Sequence, residues 1–147
     1  MNETRPVSII SPADLLPHRD AMLLLDTVLA VDEQHAIAET LVKASWPMAT
    51  ATGVSPLICV ELVAQTIGIS NIWGLMRAHG ENADKNGWLV AIKKAVFHTS
   101  ALPFTAPLTI RAENGLAYDV FREATGWVYW QDQLVAEVVA QLYQGAV

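Results

Sequence analysis

The chain has 147 residues, of which 52% are hydrophobic and 16% are charged, and its formal net charge is -6 at pH 7. This length predicts one domain, residues 1–147, that can close a core without disulfides or metal. The negative charge argues against binding to nucleic acid or to an anionic membrane surface, and the high apolar content favours a homodimer.

The first eleven residues lack the apolar stretch that is typical of a secretory signal. The single cysteine, Cys59, has no partner in the chain, which excludes a disulfide framework or a Cys-based zinc site within one subunit. We therefore expect a cytoplasmic protein. No pattern in the sequence predicts a metal or another cofactor.

The beginning of the chain predicts a short helix followed by a turn. Ser11 and Pro12 are residue types that begin helices, and Pro17 limits the helix to about one turn. His18 and Arg19 follow Pro17 directly. We therefore expect these two side chains in a turn that leads into the first strand.

The next part of the chain predicts a β-hairpin. Residues 22–31 are rich in Leu and Val, and residues 36–43 alternate apolar with polar side chains. The polar residues 32–34 between them form the predicted turn.

The middle of the chain predicts one long helix. Ser55 and Pro56 form its start, and the pattern continues to about His79, which Gly80 follows. The helix is apolar around nearly its whole circumference, so other elements should surround it. Its length is near that of a membrane span, but its polar residues, including Glu61, favour a buried helix.

The last part of the chain predicts four strands after a polar loop at residues 81–86. The strands cover residues 87–97, 108–118, 120–130 and 134–143. The complete order is two strands, a long helix and four strands. This order predicts an α+β domain in which an antiparallel sheet curls around one central helix.

Glu61 is the strongest candidate for chemistry because Leu62 and Val63 follow it in an apolar run. A carboxyl group shielded from water keeps its proton to a higher pH and can act as a general acid. A structural carboxylate that is satisfied by hydrogen bonds is the alternative interpretation. Pro56 and Leu57 open the same helix about one turn earlier, where free backbone N–H groups can hold an oxyanion.

His18 is the candidate general base because Pro17 restricts the backbone in front of it. A packing role in the turn is the alternative. His98 is the second candidate for the base. Gln65, one helical turn after Glu61, either orients the carboxyl group or satisfies a buried polar pair.

Two segments carry a resemblance to a known family. Residues 15–19 (Leu-Leu-Pro-His-Arg) with 22–26 (Met-Leu-Leu-Leu-Asp), and residues 61–65 (Glu-Leu-Val-Ala-Gln) with Gly68, resemble hot-dog-fold dehydratases that act on 3-hydroxyacyl groups on acyl carrier protein. The resemblance covers nearly the whole chain. It implies a hot-dog fold, in which the sheet wraps around the central helix.

One segment departs from the best-known members of that family. They carry a histidine in a Gly-His-Phe-Pro segment before the helix, and residues 45–50 contain no histidine. Dehydratases of aryl-polyene clusters are similar to this chain in lacking that histidine while keeping Pro-His-Arg and the helix glutamate. By this resemblance, His18 becomes the partner of Glu61.

The resemblance implies a homodimer that converts a 3-hydroxyacyl thioester on acyl carrier protein into a trans-2-enoyl thioester. His18 would remove the C2 proton, and Glu61 would protonate the departing hydroxyl. Gln65, Pro56 and Leu57 would bind the substrate, with backbone amides stabilising the enolate oxygen. The site would lie at the dimer interface, with both side chains from one subunit or one from each.

Carrier proteins are acidic, so an acidic enzyme needs a local basic patch to bind one. The candidates for this patch are Arg19, Arg77, Lys93 and Lys94. Two further functions stay open. A hot-dog thioesterase would use Glu61 to activate water, and a non-catalytic acyl-binding subunit would act within a heteromeric dehydratase.

Overall fold

The computed structural model of the chain describes residues 10–80 and 88–143. The predicted polar loop at residues 81–86 lies outside these residues, as do residues 1–9 of the segment that lacks a signal pattern. The described elements begin with α1 (Pro12–Leu15), which ends where Leu16 becomes extended before Pro17. This short helix agrees with the prediction from Pro12 and Pro17.

A 3-10 turn, Asp20–Met22, follows and leads into a hairpin. Strands β1 (Thr27–Val31) and β2 (His35–Leu41) pair in antiparallel fashion. The Asp32 side chain stabilises their turn by accepting backbone N–H groups. Strand β1 is shorter than predicted because Met22 lies in the 3-10 turn and Leu24 bonds to side chains of other elements.

The central helix, α2 (Ile58–His79), contains 22 residues and ends at Gly80, whose φ of 82° is accessible to glycine without strain. It begins two residues after Pro56, because residues 55–57 form the turn that enters it. By length and composition α2 is long enough to cross a membrane, but it lies in the core. The buried positions of α2 are Ile58, Cys59, Leu62, Val63, Gln65, Thr66, Ile67, Ile69, Ser70 and Ile72.

Within residues 10–80 and 88–143, the remaining strands complete an antiparallel sheet of six strands in the order β1-β2-β4-β5-β6-β3. They are β3 (Trp88–Phe97), β4 (Pro107–Tyr118), β5 (Phe121–Trp130) and β6 (Gln133–Tyr143). Strand β3 is therefore an edge strand, since it pairs only with β6 among the described strands. The sequence did not predict this position for β3.

Alternate residues of the strands face α2, as the period of two requires. On β4 these are Leu108, Ile110 and Ala112, all buried. On β5, a Cβ at Gly126 would lie 2.3 Å from Cγ1 of Val63, so only glycine allows the helix to approach this closely. The antiparallel sheet packed on one long helix is the α+β hot-dog fold that the sequence predicted.

Candidate active site

The structure brings His18 and Glu61 together within one chain. His18 lies in the turn between α1 and the 3-10 turn, and Glu61 lies in the first turn of α2. Nε2 of His18 is 3.2 Å from Oε1 of Glu61. The two side chains are 31% and 33% exposed, so the pair is open to solvent on one side.

Gln65 holds the Glu61 carboxyl group by a hydrogen bond and is itself 1% exposed. Its Nε2 donates to Oε1 of Glu61 at 2.9 Å and to the carbonyl of Met22 at 2.7 Å. Its Oε1 accepts the backbone N–H of Leu24 at 3.0 Å. Gln65 therefore contacts Glu61 while it also satisfies buried backbone groups, so its two alternative interpretations apply together.

A second group of polar contacts holds the same segment from the sheet side. The buried hydroxyl of Thr40 lies 2.6 Å from the carbonyl of Leu24 and 3.0 Å from Oδ2 of Asp26. Sequence reasoning did not select Thr40. The available signal was that Thr40 lies two and four residues after the buried Ala38 and Ala36 on β2, and therefore on the same face of the strand.

The Asp26 carboxylate has several donors at the end of this segment. Lys43 Nζ lies 2.7 Å from Oδ1, and the N–H of Leu41 lies 2.9 Å from Oδ2. Burial alone would raise the pKa of Asp26, but the hydrogen bonds from Lys43, Leu41 and Thr40 and the charge of Lys43 lower it below 3.8. Asp26 therefore stays ionised at neutral pH.

The exposure of Glu61 differs from the expectation of a dry carboxyl. Because the side chain is 33% exposed, this single subunit does not remove it from water. Oε1 accepts from Gln65 and faces His18, whereas Oε2 receives no hydrogen bond from the described residues. Oε2 is thus the carboxylate atom that is open to a ligand.

The first backbone amides of α2 already have internal acceptors. The N–H groups of Ile58 and Cys59 bond to the carbonyls of Ser55 and Pro56 at 3.1 and 3.0 Å. The N–H of Leu57 bonds to Oγ of Ser55 at 3.3 Å. This part of the helix therefore presents no free amide for the oxyanion role predicted for the helix start. Leu57 itself is 53% exposed and leaves an apolar side chain on the surface.

The other residue types that carry chemistry lie apart from this pair. The imidazole of His98 is exposed after β3 and makes no hydrogen bond to the described residues. Burial raises the pKa of the Cys59 thiol to about 12, so this thiol stays protonated at neutral pH. Within residues 10–80 and 88–143, no group of three or more His, Cys, Asp or Glu side chains could hold a metal ion.

The residues expected to form a basic patch have different environments. Lys93 pairs with Glu123 at 2.7 Å, and Lys94 approaches Glu137 at 3.5 Å. Arg19 donates to backbone carbonyls. Arg77 is exposed near the end of α2.

The sequence matches one family model over residues 10–146, and that family is ApeP-like, described as ApeP dehydratase. No curated protein matches the sequence significantly. Among solved structures, the dehydratase heterocomplex ApeI:P from Xenorhabdus doucetiae is similar to this chain with a TM-score of 0.82 at 20% identity, over 93% of this chain and 92% of that one.

Two thioesterases are also similar in fold. Thioesterase superfamily member 2 from Mus musculus gives a TM-score of 0.62 at 12% identity, and 81% of each chain is covered. A hypothetical thioesterase with coenzyme A from Streptococcus pneumoniae TIGR4 gives 0.60 at 14% identity, over 79% of this chain and 82% of that one. At these identities the solved structures establish the hot-dog fold.

Proposed function

The chain belongs to the ApeP-like dehydratase family, and from this premise we propose that it dehydrates a 3-hydroxyacyl thioester on acyl carrier protein to a trans-2-enoyl thioester. The observation that carries the proposal is the 3.2 Å contact between His18 and Glu61. Elimination of water needs a base at C2 and an acid at the 3-hydroxyl, and an imidazole beside a carboxyl group supplies both.

In the proposed reaction, His18 takes the C2 proton at Nε2. The electrons of the C2–H bond form the C2=C3 double bond while the C3–O bond breaks. Glu61 gives its proton to the departing oxygen, which leaves as water. The proton held by His18 then crosses the 3.2 Å separation to Oε1 of Glu61 and restores the starting state.

The closeness of the two groups determines the stereochemistry of the proposed step. A separation of 3.2 Å leaves no room for an acyl chain between Nε2 and Oε1, so both groups act from one side of the substrate. The C2 proton and the 3-hydroxyl should therefore leave from the same face. Stereospecific deuteration at C2 tests this point, because the label should be lost only from the epimer whose deuterium leaves from the same face as the hydroxyl.

The experiment that tests the function is incubation of purified protein with a 3-hydroxyacyl carrier protein, followed by intact mass. We expect loss of one water from the substrate. His18→Ala and Glu61→Gln should each lower the rate by about 10²–10⁴-fold. His98→Ala should keep the wild-type rate, because this exposed histidine lies outside the pair.

The same assay distinguishes the two alternatives. Release of free thiol in place of dehydration would favour a thioesterase, for which a solvent-open carboxylate beside a histidine is also suitable. Inactivity of the chain alone, with activity after co-purification with a second hot-dog chain, would favour a role within a heteromeric dehydratase. The similar structure from Xenorhabdus doucetiae is a heterocomplex.

We propose that the working form is a homodimer or a pair with a homologous chain. The edge strand β3 supports this proposal, because its Leu89 and Ile92 are each 39% exposed on the side of the sheet that faces α2 elsewhere. Met22 and Leu57, beside the candidate site, are 51% and 53% exposed. A second chain that covered these side chains would bury apolar surface and would also exclude water from the Glu61 carboxyl group.

A further inference from the structure

The arginine that follows His18 contacts the backbone of the turn. Its Nη1 donates to the carbonyl of Leu16 at 2.5 Å and to the carbonyl of His18 at 2.6 Å. The two carbonyls lie on either side of Pro17. One guanidinium nitrogen therefore bridges the peptide segment that carries the imidazole.

The charge of Arg19 has no carboxylate partner among residues 10–80 and 88–143 within ion-pair distance. Charged donors make shorter and stronger hydrogen bonds to oxygen than neutral donors do. This arginine thus directs a full positive charge at two backbone oxygens.

The residue after Arg19 has a less common backbone conformation. Asp20 has a φ of 55°, in the left-handed region that aspartate adopts more readily than most residues with a side chain. Contacts on both sides hold this conformation. Before Asp20 the contacts are those of Arg19, and after it they are those of Gln65 to Met22 and Leu24.

The other end of the turn is fixed by packing. Leu16 is 2% exposed, and its Cδ2 would lie 3.2 Å from a Cβ placed at Gly68 of α2. Leu16 is therefore anchored against the same helix that carries Glu61. By bonding to the Leu16 carbonyl, Arg19 links His18 to this anchored point.

We propose that Arg19 is a positioning residue, which holds the backbone at residues 16–18 so that the His18 imidazole stays in contact with Glu61. The proposal rests on the proposed dehydration. It replaces the expected role of Arg19 in carrier-protein docking. Since a misplacement of about 1 Å can cost about 10²-fold in rate, loss of the bridge should act on the chemical step.

The kinetic test compares Arg19→Ala and Arg19→Lys on two substrates, a 3-hydroxyacyl carrier protein and the same acyl group on N-acetylcysteamine. We expect Arg19→Ala to lower kcat by about 10–10²-fold on both, with a smaller change in KM. Arg19→Lys should recover part of kcat, because an ammonium group still donates but lacks the planar fork. Arg111→Ala, an exposed arginine on β4, is the control.

A rise in KM for the carrier-protein substrate alone, with kcat unchanged, would assign Arg19 to docking and overturn the proposal. Equal kinetics of Arg19→Ala and the wild type would overturn it as well. These outcomes differ from failure of the proposed function, in which the wild type would dehydrate neither substrate.

An NMR measurement that needs no turnover tests the positioning role whether or not the chain is active alone. In protein with ¹⁵N-labelled histidine, a held neutral imidazole gives two separate ring-nitrogen shifts, and a free ring gives averaged shifts. We expect separate shifts for His18 in the wild type and averaged shifts in Arg19→Ala, with the resonances assigned by His18→Ala. Unchanged His18 shifts in Arg19→Ala would contradict the proposal, even for a chain that shows no dehydration.

Discussion

The segment before β1 and the edge strand β3 both leave apolar side chains exposed, but they are held in different ways. Met22 is 51% exposed, yet its backbone carbonyl is bonded to the buried Gln65. Ile92, on β3, is 39% exposed in a strand that pairs, among the described strands, with β6 alone. The first region is fixed by contacts inside the chain, and the second presents an open edge.

This difference separates the two parts of the proposed activity. The His18–Glu61 contact is complete within one chain, because α2 and the preceding turn belong to the same core. The exposed side chains of β3 are the kind of surface that a second chain covers. Substitutions in the first region should thus alter stability and chemistry, and those in the second should alter assembly.

Gln65→Leu should have the largest effect on the region before β1. It removes three hydrogen bonds and leaves the Met22 carbonyl and the Leu24 N–H without a partner. We expect a loss of about 3 kcal/mol in the free energy of unfolding, measured in urea, because each buried unpaired group costs about 1–3 kcal/mol. Gln141→Leu, which removes one exposed bond to Tyr118, is the matched control. Equal losses from both variants would refute the special role of Gln65.

Ile92→Lys should affect the edge strand and leave the candidate site intact. A charge on this exposed, α2-facing side of β3 would have to lose water on association, so we expect the dissociation constant to rise at least about tenfold, or about 1.4 kcal/mol. Sedimentation equilibrium measures this constant. Leu116→Lys, at a position 77% exposed on β4, should leave it unchanged. A dimer as stable in Ile92→Lys as in the wild type would place the interface elsewhere.

Asp26→Asn should give the smallest effect and appear only at low pH. The pKa of Asp26 is below 3.8 in the folded chain, so its ionised form favours folding above the unfolded pKa. That contribution is lost as the pH falls through the folded pKa. The wild type should therefore lose more stability than Asp26→Asn between about pH 5 and pH 2. Unfolding curves with the same pH dependence for both proteins would show that the Lys43 contact contributes nothing.

The sequence predicted those parts of the fold that depend on local signals. Pro12 and Pro17 marked α1, Gly80 marked the end of α2, and the predicted bounds of β4 to β6 differ from the observed ones by at most one residue. The position of β3 beyond β6 was not predicted, since strand order depends on pairing between distant segments. No local pattern records which edge a strand occupies.

The candidate site was predicted in part. His18, Glu61 and Gln65 were selected, and the structure brings them together. The selection of His18 over His98 came from the restricted backbone after Pro17 and from the family resemblance, because the spacing of 43 residues between His18 and Glu61 carries no geometric information. The contacts of Arg19 to backbone carbonyls were missed, since a sequence pattern identifies an arginine but not the direction of its side chain.

The central claim is that a histidine and a glutamate of the same chain perform the elimination. Its most direct test is the activity of an assembly that contains one His18→Ala chain and one Glu61→Gln chain, purified through two different affinity tags. The account predicts no rate above that of the separate variants, because every site lacks one of the two groups. Recovery of about half the wild-type rate would contradict it, since one of two sites would then combine the intact groups across the interface.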